Sequence, residues 1–116
     1  MTNISYKAGA VSYIKISGHA MAHTKSGADL CCAAESVLAY ALADTVARLL
    51  PGAEIIINEA FVYIRFCSLS PKGIAANIAL YTVINGFKLL EGKFPQNVYV
   101  KKQKEVEHCE QVYCRA

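Results

Sequence analysis

FVYIRFCSLSPKGIAANIALYTVINGFKLLEG, residues 61–92, changes its hydrophobic period partway along. Phe61–Cys67 is rich in aromatic and β-branched residues and reads as a strand. Ser70-Pro71-Lys72 opens a helix, with Pro71 suited to the first turn, where a missing N–H costs nothing. From there Ala76, Ala79, Leu80, Val83, Phe87 and Leu90 recur at helical spacing and form one stripe to bury. The helix ends near Glu91-Gly92. A second apolar strip, Ile74, Ile78, Tyr81 and Leu89, lies on another side. It is covered either by neighbours within one chain or by a second copy in a homodimer, and the pattern leaves both open.

Working outward, Glu54–Asn58 and a turn near Glu59 complete a hairpin with Phe61–Cys67. Upstream, a helix starts near Ala28 and runs to about Leu50, where Pro51-Gly52 stops it. Residues 2–7 and 10–17 read as two strands joined at Ala8-Gly9. In the second, Val11, Tyr13 and the Ile14/Ile16 pair alternate imperfectly. Downstream, Asn97–Lys101 reads as a last strand. The order ββαββαβ predicts an α+β two-layer sandwich, a mixed sheet with two helices on one face. One domain covers residues 1–102, and 103–116 form a polar C-terminal tail.

The 116 residues suit a single domain, and 54% hydrophobic against 18% charged content excludes a disordered chain. A net charge of +3 permits an acidic or ribonucleoprotein partner without demanding one. No basic segment precedes a long apolar run near Met1. The longest apolar runs are broken by Asp44, Arg48, Asn77 or Lys88. These features predict neither a signal peptide nor a membrane span, and hence a cytoplasmic protein with reduced thiols. The odd count of five cysteines also speaks against a disulfide framework.

The chemistry gathers between residues 17 and 36, SGHAMAHTKSGADLCCAAES. In the first helix Leu38, Leu42, Val46 and Leu49 make the densest apolar stripe. Cys31 falls on it, while Cys32 is turned about 100° towards its edge. Cys31 is thus a core residue, and Cys32 is placed to meet a loop or solvent. With Asp29 as N-cap, Cys32 stands at N3; Ser26 is a competing cap, with Asp29 three residues on. Either way the thiol lies near the positive end of the helix dipole, which together with an imidazolium lowers a cysteine pKa. Free N–H groups there could hold an oxyanion. His19 ends the second strand, near where the helix that packs back on the sheet begins. The loop between, with Gly18, His23 and Gly27, is long and rich in small residues. His23 lies far from the strand end and is read as solvent-facing. A lone cysteine at a helix start and a lone loop histidine are more often structural than catalytic.

GHA at 18–20 followed by G-A-D-L-C-C-A-A-E-S at 27–36 resembles the ribosomal-processing cysteine protease family Prp. That family carries GHA, a Gly-rich loop and G-x-D-I-V-C-A-A-x-S, and its element order is similar along almost the whole chain. The resemblance implies a cytoplasmic endopeptidase that removes the N-terminal extension of a large-subunit ribosomal protein. It implies His19 and Cys32 as the catalytic pair, with Asp29 and Ser36 at the other polar positions. It also implies a homodimer, a flexible loop closing over the peptide, and no metal or cofactor. The chain departs from the pattern at Cys31, where the family has valine, and in a slightly longer loop. The tail with His108, Cys109 and Cys114 lies outside the likeness.

Two other classes compete. His19, His23, Cys31, Cys32, His108, Cys109 and Cys114 include zinc-ligand types. However, Cys31 and Cys32 point about 100° apart on a helix and no second close pair completes a four-ligand set. A non-catalytic module binding a ribosomal protein or RNA would use basic residues. Only Lys101, Lys102 and Lys104 cluster, and Glu105, Glu107 and Glu110 follow at once.

Overall fold

A computed structural model describes residues 1–18 and 28–104, the side chains of the first helix from residue 30 onward. The elements are β1 (Thr2–Lys7), β2 (Val11–Gly18), α1 (Ala28–Leu49), β3 (Glu54–Asn58), β4 (Phe61–Cys67), α2 (Pro71–Lys93) and β5 (Val98–Lys102). The order is ββαββαβ and the class α+β, as expected. Five strands form one mixed sheet in the order β3-β4-β2-β1-β5. Every neighbouring pair is antiparallel except β1 with β5, which is parallel.

Register explains where the core lies. Ile57, Val62, Ile16, Ile4 and Val100 stand in one row across all five strands, and Ile55, Ile64, Ile14 and Tyr6 stand in the next. Paired residues share a face, so these rows give the sheet one apolar side. Leu42 and Val46 of α1 and Leu80, Val83 and Phe87 of α2 join the same continuous core, so both helices pack on that side. Each fully buried Leu or Phe there contributes roughly 1.5–3 kcal/mol by leaving water.

The uneven alternation in β2 has a cause that sequence did not show. Ser12, not Val11, shares the inward face with Ile14 and Ile16, and it is fully buried. Its hydroxyl donates to Asn77 Oδ1 of α2 at 2.6 Å and accepts the Gly9 N–H at 3.2 Å. The polar group is therefore satisfied within the core and fixes the β1–β2 turn against the helix.

Ser70 caps α2, its hydroxyl accepting the Gly73 N–H at 3.0 Å, with Pro71 in the first turn. At the sheet edge the Glu91 carboxylate accepts the Val100 N–H at 2.9 Å, occupying a donor that would otherwise invite another strand.

Three features bear on what the sequence predicted or left open. Ile74, Ile78, Tyr81 and Leu89 are each more than half exposed, so no neighbour within the described chain buries the second strip of α2. Residues 30–49 and 71–93 are, by length and composition, apolar enough to cross a membrane. One side of each packs on the sheet, and about a third of each stretch is buried. Cys67 is disulfide-bonded, against the expectation of reduced thiols, whereas Cys31 and Cys32 are free thiols. An odd cysteine count argues against a full framework but leaves room for a single bridge.

Candidate active site

A groove of about 210 Å³ opens where the start of α1 meets one end of the sheet. Helix α1 supplies Cys32, Glu35, Ser36, Ala39 and Tyr40. Strands β1 and β2 supply Thr2, Ile16 and Gly18, and the β3–β4 turn adds Asn58, Glu59, Ala60 and Phe61. Such a space is smaller than the roughly 300–1,000 Å³ that holds a drug-sized ligand. It suits one or two peptide side chains rather than a large cofactor.

The two adjacent thiols part company as the helical wheel predicts. Cys31 is fully buried in the core, and Cys32 is half-buried and lines the groove. The Cys31 thiol is pushed up to about 11, first by burial, then by the neighbouring Glu35 carboxylate and Cys32, and by its hydrogen bond to Glu35. It therefore stays protonated at neutral pH and is a poor nucleophile. Iodoacetamide at pH 7.5 is expected to alkylate Cys32 and spare Cys31 in the folded protein, read by peptide mass mapping. Equal labelling of both would contradict this placement. A raised thiol pKa also sets a sign for stability. Unfolded Cys31 loses its proton near pH 8.5, well before the folded thiol does. Its contribution is full below that pH and is lost as the pH rises towards 11, which a melting series between pH 8 and 11 on native and Cys31→Ala protein would resolve.

Other predicted residues fare unevenly. Ser36 lines the groove and is exposed, one turn beyond Cys32. Gly18 lines it too, with φ +94, its N–H donating to the Ala60 carbonyl at 2.9 Å. A side chain at Gly18 would run into the carbonyl of Met1, so only glycine suits this corner. Asp29 lies inside α1, in its first turn, and is not the cap preceding it. Cys32 consequently begins the second turn rather than standing at N3. The helix dipole acts mainly over the first turn, so it favours a Cys32 thiolate less than the sequence suggested. His19, His23 and Gly27 lie outside the described residues. Among the described residues no group of His, Cys, Asp and Glu could hold a metal ion.

Sequence reading placed the turn near Glu59 but missed that this turn and Glu35 line the groove. Glu35 is 7% exposed, on the core side of α1, yet it lines the groove. Its signal was available: it stands four residues after Cys31, on the same stripe, a charge among apolar residues. The turn carries Ala60 in the left-handed region, φ 64, which nothing in its residue type announced.

Comparison with known proteins places this geometry. The structure resembles that of the S. aureus ribosomal processing protease Prp in complex with a covalently linked product peptide. That likeness has a TM-score of 0.73 and 18% identity, and spans 89% of this chain and 100% of that one. The same enzyme with a substrate peptide gives 0.72, with the same identity and coverage. A Streptococcus mutans protein gives 0.70 at 18% identity, spanning 90% of this chain and 96% of that one. The comparison with curated proteins returns no match. The family model described as cysteine protease Prp matches residues 1–101, nearly every element that builds the sheet, both helices and the groove: the chain belongs to the Prp family of cysteine proteases.

Proposed function

We propose that the protein is a cytoplasmic endopeptidase that removes the N-terminal extension of a large-subunit ribosomal protein, with Cys32 as nucleophile and His19 as base. The observation that carries the reading is the groove itself: of two adjacent thiols, the one at the family's nucleophile position lines it and the other is held inert in the core. Gly18, the residue before His19, lines the same groove. The similar S. aureus structures hold a covalently linked product peptide or a substrate peptide.

In this mechanism His19 takes the Cys32 proton, and the sulfur bonds to the scissile carbonyl carbon. The resulting oxyanion collapses, the C–N bond breaks, and His19 returns the proton to the leaving amine. Water then attacks the thioester, its proton passing through His19 to the sulfur, and the acid product leaves. A well-placed base supplies roughly 10²–10⁴-fold of the rate. With Cys32 in the second turn of α1, thiolate formation depends chiefly on the imidazole. The test is incubation of the native protein with a peptide spanning the extension and the mature start. Two fragments from one cut, read by mass, are expected; intact peptide after long incubation at stoichiometric enzyme overturns the proposal.

The exposed Ile74, Ile78, Tyr81 and Leu89 support the homodimer as cover for α2. Light scattering coupled to size exclusion should give twice the chain mass, and Ile78→Asp should give the chain mass. A native monomer at high micromolar concentration removes this part of the proposal.

A further inference from the structure

We infer that residues 105–116 close over the outer face of the sheet as a strap, held by a disulfide from Cys67 to Cys109 or Cys114. The strap stands apart from the groove, which opens at the opposite end of the sheet.

Cys67 is bonded while Cys31 and Cys32 are free, so of the five cysteines in the chain Cys109 and Cys114 remain to bond it. Both lie beyond the residues that the family model matches. Register brings the chain to the right end. Lys102 of β5 stands in the row of Tyr6, Ile14 and Ile64, and Cys67 lies three residues further along β4. Three strand spacings and three residues' rise put Lys102 and Cys67 about 18 Å apart. The seven residues from Lys102 to Cys109 span up to about 23–25 Å when extended, so either cysteine reaches. Burial of the outer face points the same way. Asn3, Lys15, Tyr99 and Lys101 face outward and are exposed. Lys7 and Val11, outward at the Cys67 end, are 6% and 5% exposed. Both helices pack on the other face, so neither covers them. Residues 19–27 join Gly18 to Ala28 at the groove end. A buried lysine needs a carboxylate. The tail brings Glu105, Glu107 and Glu110, with Val106, Val112 and Tyr113 to set on Val11 and Tyr13. The bridge closes by exchange with a small disulfide. The Cys67 thiolate bonds one of its sulfurs and releases the other as a thiolate, and the tail thiolate then displaces the second. A dithiol reverses this, its own sulfurs ending as a disulfide and both cysteines as thiols. In a reducing compartment such a bond acts as a transient redox sensor more often than as a permanent staple. Oxidation therefore closes the strap, and reduction uncovers Lys7.

The test uses the full native chain, treated with oxidised glutathione or with dithiothreitol and quenched with N-ethylmaleimide. Peptide mapping should show Cys67 linked to Cys109 or Cys114 in the oxidised sample, and alkylated in the reduced one. Brief acetylation of the folded protein should modify Lys7 roughly tenfold more slowly than Lys15 while the bridge is closed, and at a comparable rate once it is open. Cys67→Ser, which forms no bridge, should acetylate Lys7 at the fast rate in both samples, with thermal melts to confirm folding. The inference is overturned if oxidised Cys67 is linked to a second chain or to neither tail cysteine, or if Lys7 stays protected after the bridge opens.

Discussion

Cys32→Ala is expected to lower cleavage of the extension peptide by at least about 10⁴-fold, the scale at which removing a nucleophile leaves only binding and polar stabilisation. The loss should be this complete because no other described group can take over. Cys31 is one residue away, but it faces the core, is fully buried and holds its proton to a pH of about 11. Cys31→Ala should therefore keep turnover within a few-fold. The reverse pattern, with Cys31→Ala inactive and Cys32→Ala active, would move the nucleophile into the core and discard the site described above. Initial rates of product formation on both variants, with melting curves to confirm folding, decide between them.

Gly73→Ala is expected to cost at least roughly 3 kcal/mol, at the upper end for overpacking a core. Alanine favours a helix over glycine by about 1 kcal/mol, so propensity alone predicts stabilisation. Packing decides otherwise. A Cβ at Gly73 would lie 2.5 Å from the Cys67 carbonyl oxygen, 2.7 Å from Ser68 Cα and 2.9 Å from the Ser68 carbonyl carbon. All three are backbone atoms, so no rotamer change relieves the clash. The Ser68 hydroxyl donates to the Gly9 carbonyl and its N–H to the Ala10 carbonyl, tying this connection to the β1–β2 turn. Either α2 lifts or the end of β4 moves, and Phe66 moves with it. At about 4–8 °C per kcal/mol for a domain near this size, the melting midpoint should fall by more than about 10 °C. Gly92→Ala, with nothing near its Cβ position, is the matched control and should leave the midpoint level or raised. A Gly73→Ala midpoint equal to the native one would show that the helix start yields freely.

The element order was legible because helix and strand periods are local properties. The inward set of α2 was nearly complete from spacing alone, with Ile84 buried as well and with Ala79 and Leu90 only partly covered. The separation of Cys31 from Cys32 was legible for the same reason, since 100° per residue follows from helix geometry. What escaped depends on partners distant in sequence. Ser12 faces inward because Asn77, 65 residues on, accepts its proton. Glu35 went unremarked, although its place on the apolar stripe four residues after Cys31 was readable; its burial shows only in the fold. The strand order that brings β1 beside β5 carries no short-range signature. Asp29 was misplaced for a different reason: two residues compatible with capping stood three apart, and residue type alone did not choose between them.

Strands β1 and β5, the first and last among the described residues, are neighbours in the sheet. During synthesis, one flank of β1 therefore stays without its native mate until β5 has been translated. For that interval the nascent protein exposes a strand flank open to mispairing. The cell's protection of the half-made chain thus bears on yield as much as the strength of the completed core does, and a truncation ending before Val98 should be recovered mainly as aggregate.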